Sequence, residues 1–182
     1  MFAKFSYFNN ILYIFILLIC YINTVYLKDI IINNDDDSIV NSVKDIENLK
    51  TIRLIFNTDI YKIPTDGQTH LNIYNANTLI FYSENGTIFD FQNSERTTFS
   101  LHLETNQVTV IFQNITFINF GNYILSNIKM FFLSLKNYSD KFTVKFDNCI
   151  FKDSVTIIQA AITCTKKTQT TPQLIFNNCK FR

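Results

Sequence analysis

The chain has 182 residues, of which 47% are hydrophobic and 17% are charged, so it is long and apolar enough for one ordered domain, and general disorder is excluded. Asn occurs 22 times and Phe 19 times, while Gly occurs three times and Trp is absent, a composition that favours short strands joined by Asn-containing corners. The formal net charge is +1, and residues 25–182 contain 15 basic and 15 acidic side chains, which argues against a nucleic-acid-binding surface.

The N-terminal segment has the pattern of an export signal. Lys4 precedes an apolar run at residues 11–22, which has the length of a signal-peptide core and is too short for a comfortable membrane span. We therefore predict a hydrophobic signal helix, with residues 1–24 removed as a signal peptide, and a protein that is secreted or displayed at the cell surface. Thr24 is the one small residue near the cleavage point, so the alternative is an uncleaved anchor in which residues 5–27 alone contact a membrane.

The next segment, residues 25–50, is predicted to form an acidic turn and a short capping helix. Residues 33–37 are polar and acidic, and they can complement the dipole of a helix that begins after them. Asp37 or Ser38 can cap the first turn of that helix. Four apolar residues then follow at helical spacing: Ile39, Val43, Ile46 and Leu49.

From residue 51 onward the helical period is replaced by short segments in which apolar and polar residues alternate, which predicts strands with one buried face. An internal repeat runs through this region: residues 110–119, 144–153 and 174–182 align without gaps and share the pattern Φ-x-F-x-N-[I/C]-x-F. A weaker fourth copy at residues 89–93 places Phe91 in the first Phe position, so that the repeated Phe recurs after 21, 34 and 30 residues. Such spacings predict a solenoid whose coils share a strand–corner–strand unit and differ in one loop.

Each copy of the repeat assigns the same roles to the same positions. The Phe residues are expected to point inwards and to stack in columns along the axis, while an Asn makes the corner between two strands. The predicted core residues are Phe112, Phe117, Phe146, Phe151, Phe176 and Phe181, and the predicted corner residues are Asn114, Asn148 and Asn178. Because a solenoid needs a polar end cap and the chain stops inside a repeat, we expect the repeats of residues 51–182 to be truncated at their C-terminus.

The unit F-x-N-C-x-F-x-[N/D] resembles the repeats of right-handed parallel β-helix proteins of the pectin-lyase-like superfamily. It is most like the polymorphic outer-membrane-protein and adhesin-like repeats, in which a G-G-A-I segment often follows. Residues 159–162 are Gln-Ala-Ala-Ile, with Gln and Ala in place of the two glycines. The resemblance covers residues 38–182 and implies a right-handed parallel β-helix on a secreted or cell-surface protein.

The competing fold is an antiparallel β-sandwich in which Cys149 and Cys179 bridge two sheets. No Trp accompanies these cysteines, and Asp66-Gly67 and Asn85-Gly86 are the only hairpin signals, so the solenoid is favoured. In the solenoid the two cysteines share one inward column, where neighbouring strands lie about 4.8 Å apart. That spacing permits a disulfide, and the alternative is a pair of buried thiols that act as small hydrophobic groups.

Export would make three sequons candidate glycosylation sites, at Asn85, Asn114 and Asn137. The repeat region has no carboxylate pair on neighbouring outward positions, where Gln113, Asp147 and Asn177 form one level and Thr116, Ile150 and Lys180 form another. It also has no nucleophile, zinc or phosphate-binding motif, so neither catalysis nor a cofactor or metal is predicted.

We therefore predict a non-catalytic, adhesin-like binding or display protein. Its partners would be surface glycans or proteins, held by outward positions and by the long loop at residues 121–141. The alternatives are a fragment of a carbohydrate-active β-helix enzyme, whose carboxylates would come from residues outside these groups, and a membrane-anchored structural coat component.

Overall fold

The computed structural model of the chain describes residues 13–14, 27–33, 39, 50–64, 69–73, 76–93, 99–103, 108–120, 133–137, 141–153, 161–162 and 173–182. The predicted signal at residues 1–24 lies outside these ranges except for the helical residues Tyr13 and Ile14. The predicted capping helix at residues 38–49 lies outside them except for Ile39, which is buried and whose backbone N–H donates to the Tyr61 hydroxyl at 3.5 Å. Most of the loop predicted at residues 121–141 also lies outside them.

The described residues form thirteen strands, so the all-β class predicted from the sequence is confirmed. The strands are β1 (Leu27–Ile32), β2 (Thr51–Phe56), β3 (Ile60–Lys62), β4 (Thr69–Ile73), β5 (Thr78–Asp90), β6 (Phe99–Leu103), β7 (Val108–Ile118), β8 (Leu133–Asn137), β9 (Phe142–Asp147), β10 (Ile150–Lys152), β11 (Ala161–Ile162), β12 (Leu174–Asn177) and β13 (Lys180–Phe181). Every pairing between them is parallel. The antiparallel sandwich is therefore wrong for this part of the chain.

The strands are arranged in three parallel ladders. The first ladder has the order β1-β2-β5-β7-β9-β12, and the second has the order β3-β5-β7-β10-β13. The long strands β5 and β7 belong to both, because their first halves pair in the first ladder and their second halves pair in the second. The third ladder is a separate sheet with the order β4-β6-β8-β11.

We use the word unit for each strand–corner–strand segment that runs from the first ladder into the second. The five units are residues 51–62, 78–90, 108–118, 142–152 and 174–181. Within the units, buried and half-buried residues alternate along the strands, as in β2 and β9. This period of two places the apolar side chains on one face and the polar ones on the other.

The inward side chains of the first ladder form a column of rings. The parallel register aligns Leu54, Phe81, Phe112, Phe146 and Phe176. The three successive pairs of phenylalanines stack with ring centroids 4.6, 5.0 and 5.1 Å apart and interplanar angles of 12°, 9° and 7°. Each ring therefore covers the next one, and the inward face is dry from β5 to β9.

A second column of rings lines the second ladder. The register aligns Tyr61, Phe89, Phe117, Phe151 and Phe181, and the last two pairs of rings stack at 5.0 Å. Within the last three units the two columns meet edge to face, as between Phe146 and Phe151, whose centroids are 5.4 Å apart at 70°. The two strands of a unit thus share one aromatic core.

The register corrects the fourth copy of the repeat. The partner of Phe112 is Phe81 and not Phe91, because β5 carries four residues, 83–86, where β7 has Asn114 alone. Phe91 instead follows the second strand of its unit and packs edge to face against Phe120, with centroids 5.1 Å apart. The equivalent phenylalanines are consequently separated by 31, 34 and 30 residues, which is a narrower range than the sequence pattern indicated.

Candidate binding surface

The first turn of three units is made by one residue with left-handed backbone. Asn114, Asn148 and Asn178 have φ angles of 59°, 54° and 50°. Asn tolerates this conformation because its short polar side chain can bond to nearby groups. The Asn178 amide donates to the Asn148 side-chain oxygen at 2.7 Å, so these two corners are joined by a side-chain ladder.

A second turn follows the second strand, where the sequence motif ends in Asn or Asp. Asn119 and Asp153 have φ angles of 59° and 52°. The Asn119 amide donates to an Asp90 carboxylate oxygen at 2.8 Å, which joins this turn to the preceding unit. This position is part of the sequence motif, where no role was predicted for it, and its restriction to Asn and Asp was the signal for a left-handed turn.

The corner at residues 83–86 is longer than the others and is closed by its own hydrogen bonds. Gly86 has a φ of 89°, and its N–H donates to the Ser83 hydroxyl at 3.1 Å. The Thr87 hydroxyl is fully buried, donates to the Thr58 carbonyl at 2.7 Å and lies 2.9 Å from the Ser83 hydroxyl. These bonds fold the four residues into a compact turn above the preceding unit.

The three predicted glycosylation sites occupy different environments. Asn85 is exposed at the tip of the long corner. Asn114 is half-buried, and its amide donates to the carbonyls of Ser83 and Glu84, both at 2.9 Å. Asn137 is the last residue of β8, and its side chain lies outside the described part of the structure.

Cys149 and Cys179 are free thiols at equivalent inward positions, and a disulfide between them stays a prediction. The Cys149 sulfur lies 3.4 Å from the carbonyl oxygen of Phe112, and the Cys179 sulfur lies 3.3 Å from that of Phe146. Each thiol thus points at the backbone of the preceding unit. Burial raises the pKa of the Cys149 thiol to about 12.

The outward face of the first ladder carries a polar column. The register aligns Tyr82, Gln113, Asp147 and Asn177, all of which point away from the core. One Asp147 oxygen accepts a hydrogen bond from the Asn177 amide at 2.8 Å, and the other lies 2.8 Å from the Lys145 ammonium. The column therefore presents an aromatic ring, amides and a carboxylate in one line.

Arg53 extends the polar character of this face toward β1. Its guanidinium donates to both carboxylate oxygens of Asp29, at 2.8 and 2.5 Å, and lies 5.8 Å from the centre of the Tyr82 ring. These contacts hold the pKa of the Asp29 carboxyl below its ordinary value, chiefly through the hydrogen bond from Arg53. The ring of Tyr82 is thereby in contact with a fixed cation at the edge of the polar column.

A column of threonines lies at the first or second position of four strands of the first ladder. Thr51, Thr78, Thr109 and Thr143 are in register and half-buried on the outward face. These threonines were not predicted from the sequence, although each stands three residues before Leu54 or the first Phe of its unit. The fuller repeat pattern is therefore T-Φ-x-[F/L], which was readable in four of the five units.

The described part of the chain contains no cluster of three side chains that could bind a metal ion. Within the same ranges, no helix is long and apolar enough to cross a membrane. No protein family, curated protein or solved structure matches this chain.

Proposed function

We propose that the chain is a non-catalytic secreted or cell-surface protein, folded as a right-handed parallel β-helix whose outward face binds a partner. The observation that carries this proposal is the regular recurrence of paired strands and aligned phenylalanines along the chain. From β2 onward, each strand of the first ladder pairs with the next first-ladder strand after the chain has passed through the second and third ladders, and the aligned Phe81, Phe112, Phe146 and Phe176 recur every 30–34 residues.

The order of the strands along the chain supports a β-helix. The chain passes through the first, second and third ladders in turn, as in β2, β3 and β4, and then begins again with β5. A chain that keeps returning to a parallel neighbour in this order winds around one axis. Parallel crossovers are almost always right-handed, because of the twist of the strands, and this supports the right-handed sense.

The side chains that line the two faces differ in what they can do. The inward columns fill the core and must keep their size and apolar character, since each ring covers the next. The outward polar column has no such constraint, and its members repeat about every 4.8 Å along the stack. Ring, amide and carboxylate groups in a line suit an extended, hydroxyl-rich partner such as a surface glycan or the glycan of a surface protein.

The N-terminal segment supports the proposed export to the cell surface. The apolar run at residues 11–22 after Lys4 has the length of a signal-peptide core, and the neutral balance of charges in residues 25–182 offers no basic face for nucleic acid. Sequencing of the N-terminus of the mature protein tests this part. A first residue near position 25 agrees with secretion, a retained Met1 agrees with the anchored alternative, and a protein that stays inside the cell overturns export.

The binding role is tested with the purified full chain on a glycan array and in a cell-adhesion assay. The double variant Q113A/N177A removes two amides of the polar column and should lower binding at least tenfold. The matched control, T116A/K180A, removes two outward side chains of the second ladder and should leave binding unchanged. If the unmodified chain binds neither glycans nor cells, the proposed role is wrong.

The winding is tested by cysteine pairs on outward positions. Thr109 and Thr143 are partners in neighbouring strands, so T109C/T143C should form a disulfide under mild oxidation. Asp147 is four residues further along the same strand, so T109C/D147C should not. Peptide mapping that finds the second bond and not the first would contradict the register on which the β-helix rests.

A further inference from the structure

Two of the sequons meet at one place in the fold. Asn85-Gly-Thr forms the tip of the long corner, and Asn114-Ile-Thr forms the short corner of the next unit. A Cβ atom built on Gly86 would lie 3.7 Å from the side-chain oxygen of Asn114. The long corner therefore rests directly against the Asn114 side chain.

The amide nitrogen of Asn114 is already occupied. Its two protons are donated to the carbonyl oxygens of Ser83 and Glu84, both at 2.9 Å. An N-linked sugar replaces one of these protons, so one carbonyl would lose its donor. The sugar would also have to lie where the long corner packs, and the corner would have to open.

Asn85 has none of these restrictions. Its side chain is exposed, and the following Gly86 takes the left-handed φ of 89° that turns the chain back toward the core. A sugar on Asn85 would point into solvent and leave the bonds among Ser83, Gly86 and Thr87 unchanged.

We propose that Asn85 carries an N-linked glycan in the exported protein and that Asn114 does not. This rests on the proposed export through a eukaryotic secretory route. The donor is a lipid-pyrophosphate-linked oligosaccharide. A bond forms between the Asn85 amide nitrogen and C1 of the first sugar, the bond from C1 to the pyrophosphate oxygen breaks, the nitrogen loses one proton, and the lipid pyrophosphate leaves.

The geometry also dictates when the transfer occurs. The hydroxyl of Thr87, which completes the sequon, is fully buried in the folded chain and donates to the Thr58 carbonyl at 2.7 Å. An enzyme that reads this hydroxyl must act before the long corner closes. A glycan added at Asn114 at that stage would block closure, so such molecules would be missing from the folded, secreted fraction.

The test is expression of the full chain in a eukaryotic cell with an unrelated, efficient signal peptide in place of residues 1–24. Glycopeptide mass spectrometry of the secreted protein should find sugar on the peptide of Asn85 and none on the peptide of Asn114. N85Q should abolish the glycosidase-sensitive mobility shift in an S139A background, which removes the third sequon. The matched control T116A, which destroys the second sequon and keeps the Asn114 side chain, should leave the shift unchanged.

Two results would overturn the inference: an unmodified Asn85 in secreted protein, or a sugar on Asn114 in secreted, protease-resistant protein. The supplied signal separates this test from the proposed export, because export is decided by whether the native residues 1–24 direct secretion. A second readout addresses the timing. Unglycosylated protein, folded and then incubated with the transferase and donor, should stay unmodified, whereas the same protein, unfolded in denaturant and diluted into that mixture before it refolds, should be modified at Asn85.

Discussion

Two units that share the F-x-N-C-x-F motif differ sharply in exposure. In the unit at residues 142–152, Phe146 and Phe151 are 0% and 8% exposed, whereas in the unit at residues 174–181 Phe176 and Phe181 are 37% and 63% exposed. Both units contain F-x-N-C-x-F, so the difference in exposure of the two phenylalanines does not come from the motif. It comes from the neighbours, because the first unit lies between two described units and the second pairs with one. In this fold the side chains of a unit are buried by the units that stack on either side of it.

The largest expected effect compares Phe146→Ala with Phe176→Ala. Phe146 stacks on rings on both sides, at 5.0 and 5.1 Å, so its loss should lower the free energy of unfolding by about 3–5 kcal/mol. Phe176 is part-exposed and should cost about 1–2 kcal/mol. Denaturant unfolding monitored by circular dichroism measures both. Equal losses at the two positions would show that the outer unit is covered as well as the inner one.

The second prediction concerns the thiol of Cys149. Burial raises its pKa to about 12, so the folded chain keeps the proton at a pH where the unfolded chain, with an ordinary thiol, has lost it. The folded state then binds more protons, and stability must fall as the pH rises from about 9 toward 12. The slope from this one group is about 1.4 kcal/mol per pH unit.

The control for this prediction is Cys149→Ala, because Lys and Tyr also titrate in that range. The difference in unfolding free energy between the parent chain and the variant should shrink with rising pH above 9 and should be constant below 8. A thiol reagent at pH 8 should also leave Cys149 unmodified in the folded chain. A constant difference up to pH 12 would mean that the thiol is not desolvated.

The comparison of units also shows what the sequence could predict. The repeat could be recognised in the sequence wherever one Asn makes the corner. In those units the second Phe follows the first after five residues, as Phe117 follows Phe112. Four residues make the corner after Phe81, so the spacing changes and the pattern selected Phe91 instead. The spacing of the phenylalanines does not reveal this longer corner, because the corner is closed by hydrogen bonds between Ser83, Gly86 and Thr87.

The candidate surface was less predictable than the core. The outward level of Gln113, Asp147 and Asn177 followed from the period of two, and the structure aligns these residues. The addition of Tyr82 to that line depended on the length of the corner that follows it, which the sequence did not disclose. The state of Cys149 and Cys179 was left open for the same kind of reason, since register brings two thiols to one level but rotamers decide where the sulfurs point.

The third prediction compares the corners of the same two units. Asn148→Ala forces alanine into a backbone with φ of 54° and removes the acceptor of the bond from Asn178, so stability should fall by about 1–2 kcal/mol. Asn148→Gly keeps the backbone conformation and should cost less than half as much. Asn178→Ala should cost less than Asn148→Ala, because the outer unit can relax around it. Thermal unfolding measures the stability of the three variants. Equal stabilities of the alanine and glycine variants at position 148 would contradict this prediction.

The smallest expected effect concerns β1, which lies at the opposite edge of the first ladder from β12. Strand β1 pairs with β2 alone in the described chain, and Asp29 and Arg53 form an ion pair across that pairing, with side chains about equally exposed. Because the pair is open to solvent, Asp29→Asn should lower the free energy of unfolding by less than about 0.5 kcal/mol, and 1 M salt should reduce this further. The pKa of the Asp29 carboxyl lies below its ordinary value, so the contribution is present above that ordinary value and is lost as the pH falls through the folded pKa. A loss as large as that of Asn148→Ala would mean that β1 is held by its surface charge, whereas a small loss assigns its stability to the buried Ile32 and to Ile30, which packs against the core.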